Sequence, residues 1–183
     1  DVPHEYFGPG ERRKWFKGRF GSAYGKYEGV VPERCHAETS FGFLVAYEEN
    51  ADLVLELDDD VHIIKNFVRK HVETLATEES TTVCSEGKWY NTLENLVISD
   101  NSTVYPRGHP YSPETRQGDY TWADRGGECV LNMGLWLQHP DLDALTLLYH
   151  SGLDGTCDIR SKGCKREKVV VGNGTYFAVC SMN

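Results

Sequence analysis

Several things are scarce or missing in this chain. Basic residues are outnumbered: 19 Lys and Arg face 28 Asp and Glu, for a net charge of -9 and a pI near 5.2. Such a surface does not attract nucleic acid or an anionic membrane. No apolar run approaches the length a membrane-spanning helix needs, so no transmembrane segment is expected. The opening Asp1-Val2-Pro3-His4-Glu5 is polar and has no signal-peptide character. There is no internal repeat and no low-complexity tract. The six cysteines include no C-x-x-C, and Cys157 and Cys164 are too widely spaced for the common zinc knuckles. The expectation is reduced thiols in a cytoplasmic protein, with a Cys157–Cys164 bridge across a loop as the alternative.

What is present is a chain of 183 residues with 39% hydrophobic and 26% charged residues, enough for one globular domain with its own core. Its most pointed stretch is Leu53-Val54-Leu55-Glu56-Leu57-Asp58-Asp59-Asp60. The apolar run reads as a central strand buried on both faces, and it ends in three carboxylates that repel one another. A hard divalent cation, Mg²⁺ or Mn²⁺, shared with a diphosphate would hold them together. A strand-to-helix turn in which one Asp caps the next helix explains them as well.

The first 34 residues, rich in glycine and in basic and aromatic side chains, read as an irregular surface loop. His36 to Asn50 has helical spacing. Val61 to Thr77 is the clearest helix, with Ile63, Ile64, Phe67, Val68, His71, Val72 and Leu75 on one stripe. His71 there reads as a packed histidine. Thr81–Cys84, Leu96–Ser99, Val169–Val171 and Tyr176–Cys180 read as short strands, and Cys129–Leu137 as a strand or a buried turn. Helix, strand, acidic turn and helix in succession are an α/β signature.

The prolines of Pro106-Arg107-Gly108-His109-Pro110-Tyr111-Ser112-Pro113 exclude regular structure, so this is a loop that brings Arg107, His109 and Tyr111 close together. Pro140-Asp141-Leu142-Asp143-Ala144-Leu145 opens a helix, where Asp141 or Asp143 either caps the helix or reaches a sugar hydroxyl.

Four segments, in this order, resemble the reversibly glycosylated polypeptide family, which includes the UDP-arabinopyranose mutases. They are the strand ending in Asp58-Asp59-Asp60; Arg107-Gly108-His109-Pro110-Tyr111-Ser112, like the family's Arg-Gly-Tyr-Pro-Phe-Ser; Gly134-Leu135-Trp136-Leu137 through Pro140-Asp141-Leu142-Asp143-Ala144; and Phe177-Ala178-Val179-Cys180-Ser181-Met182-Asn183. His109 stands where the family has tyrosine, and the resemblance covers the middle of the family's length. It implies an α/β fold like that of the GT-A glycosyltransferases. This is a Rossmann-like sandwich with a mixed sheet that binds nucleotide sugars, and residues 1–183 are one such domain or a segment of one.

The resemblance further implies that Asp58, Asp59 and Asp60 hold Mn²⁺ or Mg²⁺ against the diphosphate of a UDP-sugar of the UDP-arabinose or UDP-glucose class. Arg107 is then the arginine that can become glycosylated, while Asp141 and Asp143 lie near the sugar. Mutase, self-glycosylating or acceptor-directed transferase, and non-catalytic partner subunit are the three functions it offers. A homo- or hetero-oligomer and a cytoplasmic or Golgi-surface location belong to the same expectation. A metal-dependent hydrolase is the unrelated alternative, carried by the aspartates alone.

Overall fold

The computed structural model describes residues 4–34, 38–58, 61–76, 79–85, 87–126, 129–150, 157–166 and 168–178. The chain divides into two compact units, Asp1–Glu56 and Leu57–Asn183.

The first unit is helical. Helix α1 runs from Pro9 to Phe20, with proline in its first turn and Lys17 and Arg19 in its last. Proline suits the first turn because its missing N–H has no partner there anyway, and cations suit the C-terminal end of the helix dipole. The region had read as irregular loop because of its glycines, but two of them act as ends. Gly8 is the N-cap, and Gly21, at φ +53°, closes the C-terminus where a Cβ would be strained.

Helix α2 covers Ser40–Glu48. Phe7, Trp15, Phe16 and Phe41 form the core of this unit, with ring centroids 5.3–5.7 Å apart in tilted and edge-on contacts. Arg12 is buried beside them, with Nη1 3.3 Å from Glu38. Arg19 spans from α1 to α2 and pairs with Glu48 at 2.7 Å.

Leu53, Val54 and Leu55 stand in extended backbone at the end of this unit, and Leu57 does so at the start of the next. All four are exposed and belong to none of the described sheets. The buried central strand expected from their composition is therefore not among the described elements. Four apolar residues in a run of five predict burial, but only neighbouring strands supply it.

The second unit mixes helix and strand. Helix α3, Phe67–Ala76, starts later than the sequence pattern suggested. The strands are β1 (Glu79–Cys84), β2 (Trp89–Tyr90), β3 (Leu96–Ile98), β4 (Thr121–Gly126), β5 (Ser161–Cys164), β6 (Val170–Val171) and β7 (Tyr176–Phe177), with helix α4 (Ala144–Tyr149) between β4 and β5. They form three small sheets. In the largest, β1 is central, antiparallel to β4 and parallel to β6. Strands β2 and β7 pair in parallel, and β3 and β5 antiparallel. Strand β4 was not expected, since Thr121–Gly126 is largely polar; its register with β1 makes it a strand.

Leu93, Leu96, Ile98, Val104, Leu142, Cys157 and Ile159 make the core of this unit, with Leu135 and Leu147 packed against it. Cys129–Leu137 is irregular, and Val130 and Leu131 in it are exposed, so it is neither the strand nor the buried turn expected. Cys157 points into the core while Cys164 is exposed on β5; both are free thiols, as are Cys84 and Cys129, so the Cys157–Cys164 bridge is not formed. His71 is packed as expected: Phe67 lies 4.3 Å from its ring, Asn132 Nδ2 is 3.0 Å from its Nδ1, and burial lowers its pKa. This mixed helix-and-strand unit is consistent with an α/β fold.

Candidate functional site

Two of the motifs meet in space. Pro106 and Leu142 form an antiparallel bridge. On either side of it, Arg107 N donates to Asp141 O at 3.0 Å and Asp143 N donates to Tyr105 O at 2.8 Å. The Arg-Gly-His-Pro loop is thus stitched to the Pro-Asp-Leu-Asp segment, residue against residue. Leu142 enters the core cluster, so alternation along the paired backbone sends its neighbours Asp141 and Asp143 to the other face. Asn91 Nδ2 fixes the loop's entry by donating to Val104 O at 2.8 Å.

The loop then turns back. His109 N donates to Pro106 O at 3.0 Å, and Gly108 holds φ +86° at the third position, as a turn with a left-handed third residue requires. Thr115 Oγ1 caps the loop's far end with bonds to Ser112 O at 2.7 Å and Pro110 O at 3.1 Å.

Each aspartate acquires an arginine. Arg107 Nη2 lies 2.9 Å from Asp141 Oδ2, and the Arg107 side chain is 67% exposed against 26% for Asp141. Half-burial is the larger influence on Asp141 and holds its carboxyl above the usual aspartate range, although Arg107 pulls the other way. Arg116 Nη2 lies 2.6 Å from Asp143 Oδ2, and the Asp143 side chain is 0% exposed. The other oxygen of Asp143 accepts from Thr146 N at 2.7 Å and caps α4. The capping role offered for Asp141 or Asp143 thus falls to Asp143, whose burial keeps it from solvent.

The Arg116 guanidinium lies 4.2 Å from the Tyr105 ring centroid and 5.0 Å from that of Tyr111. Its Nε donates to Pro110 O at 3.0 Å, and Tyr105 OH donates to Arg116 O at 3.0 Å.

Of the three side chains expected close together on the loop, Arg107 and Tyr111 are exposed, while His109 is buried under it. Arg116 and Tyr105 were not singled out in the sequence. Arg116 meets its partner 27 residues away, which no local spacing reveals.

Asp58 is exposed on extended backbone, with Val61 N 3.3 Å from its carbonyl oxygen. Asp59 and Asp60, along with the Val179–Asn183 end of the fourth motif, lie outside the described residues. Among the described residues, no three His, Cys, Asp or Glu side chains are grouped to hold a metal ion. The triplet's fit to a cation therefore rests on its donor chemistry: three adjacent carboxylates are oxygen ligands of the kind Mg²⁺ and Mn²⁺ select.

No helix among the described residues is long and apolar enough to cross a membrane. No protein-family model matches the chain. It is similar to two curated proteins of Solanum tuberosum, the probable UDP-arabinopyranose mutases 1 and 2, at 26% and 27% identity over 144 residues. These residues make up 78% of this chain, and the chain spans about a third, 34%, of the length of each relative. The similarity supports a distant relationship to that family.

Proposed function

We propose that this chain carries the sugar-facing part of a UDP-sugar enzyme of the UDP-arabinopyranose mutase kind, interconverting the pyranose and furanose forms of the sugar on a GT-A-like fold. The observation that carries the reading is the bridge between Pro106 and Leu142. It unites two separate family-like motifs into one surface holding Arg107 beside Asp141.

The reaction needs charge control at both ends of the anomeric C–O bond. Asp58, Asp59 and Asp60 are the residues that would hold Mn²⁺ or Mg²⁺, whose contribution is to offset charge on the departing diphosphate. A guanidinium such as that of Arg107 is a poor nucleophile and a good clamp for phosphate oxygens. The exposed Arg107 side chain exchanges Asp141 for phosphate at little cost, because exposed ion pairs are weak. Asp141, released from that pair, presents a half-buried carboxylate to the oxocarbenium-like sugar. Asp143 acts at one remove, by fixing Arg116 and the start of α4.

The exposure of Arg107 also favours a second reading, transfer of the sugar to this side chain or to an external acceptor. Chromatography of UDP-arabinopyranose and UDP-arabinofuranose after incubation with the protein and Mn²⁺ separates the two. Interconversion is the expected outcome, with Asp59→Asn abolishing it and Arg107→Ala lowering it on the order of a hundredfold, as loss of one charge-stabilising donor does. Free UDP with a glycosylated acceptor would replace the mutase by the transferase. UDP-sugar binding with no product would leave a non-catalytic partner subunit. Unchanged turnover in Arg107→Ala would remove the clamp.

A further inference from the structure

His109 is the one imidazole in the loop, and it is 1% exposed. Its Nε2 lies 2.8 Å from the carbonyl oxygen of Thr115. A carbonyl can only accept, so Nε2 carries the proton and the neutral ring leaves a bare lone pair on Nδ1. That Nδ1 is buried and has no hydrogen-bond partner. Tyr105 lies 5.0 Å away and Trp89 5.7 Å, edge-on. The charged groups facing the ring are Arg116 from the same loop and Asp143 from the start of α4; Trp89, on β2, adds none. Burial is the largest influence and lowers the His109 pKa. The Thr115 bond raises it, Arg116 lowers it and Asp143 raises it, and the net direction is down.

The bond from Nε2 to Thr115 crosses the loop between its two arginines. Arg107 lies two residues before His109, and Arg116 follows Thr115 directly. A proton added at Nδ1 would create a buried N–H with nothing to donate to and a second cation facing Arg116. The closed loop is therefore compatible with the neutral ring alone.

We infer that His109 is a positioning residue: as a neutral Nε2–H imidazole it pins the 106–116 loop through Thr115 and so holds Arg107 and Arg116 in register with Asp141 and Asp143, and its protonation unpins them. The pin stands on geometry. Its consequence for a UDP-sugar rests on the function proposed above.

The sign follows from linkage. The closed loop binds this proton less readily than the open chain, so the closed state is fully favoured above the ordinary histidine pKa. It loses ground as pH falls below that value, by at most about tenfold per pH unit.

The test is an NMR titration of the ¹⁵N-labelled chain from pH 8 to 5, in the wild type, His109→Gln and His109→Phe. Glutamine keeps an N–H for Thr115 and does not titrate; phenylalanine fills the space without the bond. The expected wild type shows the Nε2–H tautomer, with the amide signals of Arg107 to Arg116 moving together with the His109 titration. Those signals stay still in His109→Gln and report an open loop at every pH in His109→Phe. UDP-arabinopyranose affinity, measured in parallel, falls in acid for the wild type and stays flat in His109→Gln. An Nδ1–H tautomer, loop amides indifferent to the His109 titration, or a glutamine variant that follows the wild-type pH dependence would overturn the pin. A loop that behaves as expected in a chain that binds no UDP-sugar at any pH would uphold the pin and sink the UDP-sugar reading.

Discussion

Arg107–Asp141 and Arg116–Asp143 are the same two residue types, set near the two ends of one loop, and the burial of their partners separates their roles. Asp143 has lost all contact with solvent and gains an arginine, a backbone N–H and a helix to cap. Each of its two carboxylate oxygens has a donor, so the pair cannot be opened without leaving a naked charge. Asp141 faces an arginine that is mostly in water, and its own half-burial works against its ionised form. That pair is easily opened. The inner pair therefore serves the fold, and the outer pair is free to serve a ligand.

The comparison breaks most visibly at Asp143. Asp143→Ala leaves the largely covered Arg116 without its partner and α4 without its cap, and should cost about 3–5 kcal/mol of stability for the pair and about 1 kcal/mol for the cap. Urea denaturation reads it as a lower midpoint at unchanged slope. A loss of less than about 1 kcal/mol would show that the pair contributes no more than an exposed one. Tyr105→Phe keeps the ring against the Arg116 guanidinium and removes only the hydroxyl bond to its carbonyl, so a loss of about 1 kcal/mol is expected in the same measurement.

The outer pair should respond in the opposite sense. Arg107→Ala, which is expected to suppress interconversion, should change stability by no more than about 1 kcal/mol. A large drop in melting temperature would make Arg107 a structural residue. Asp141→Asn is the smallest and sharpest case. The folded pKa of Asp141 is raised, so near that pKa the native state binds more protons than the unfolded chain. Its contribution to stability therefore grows as pH falls through the folded pKa and is unfavourable above it. Asp141→Asn should hold or raise the melting temperature at neutral pH. The difference between wild type and variant should shrink on acidification; a variant that instead melts below the wild type at neutral pH and catches up in acid would show that Arg107 rather than burial governs Asp141.

Local chemistry was legible where a residue's job depends on its immediate neighbours. The proline-rich stretch around Arg107 had to be a loop. An aspartate just before Ala144 had to be a candidate cap, and Thr81–Cys84 and Leu96–Ser99 were visible as short strands, where β1 and β3 lie. Local chemistry misled where the outcome depends on distant partners. The glycines of the first 34 residues hid α1, because a glycine that ends a helix and one that breaks it look alike in a string. The polar Thr121–Gly126 becomes β4 only through its register with β1.

The sequence by itself determined which side chains are available: the acidic triplet, the arginine in its turn, the aspartates before α4 and the histidine of the proline-rich loop. Tertiary structure alone decided that Arg116 belongs to Asp143 and Arg107 to Asp141, that His109 is buried while its neighbours are exposed, and that Leu53–Leu57 meets solvent. Burial and ion pairing depend on which segments come together, and the bridge that joins residue 106 to residue 142 leaves no mark in either segment's own pattern.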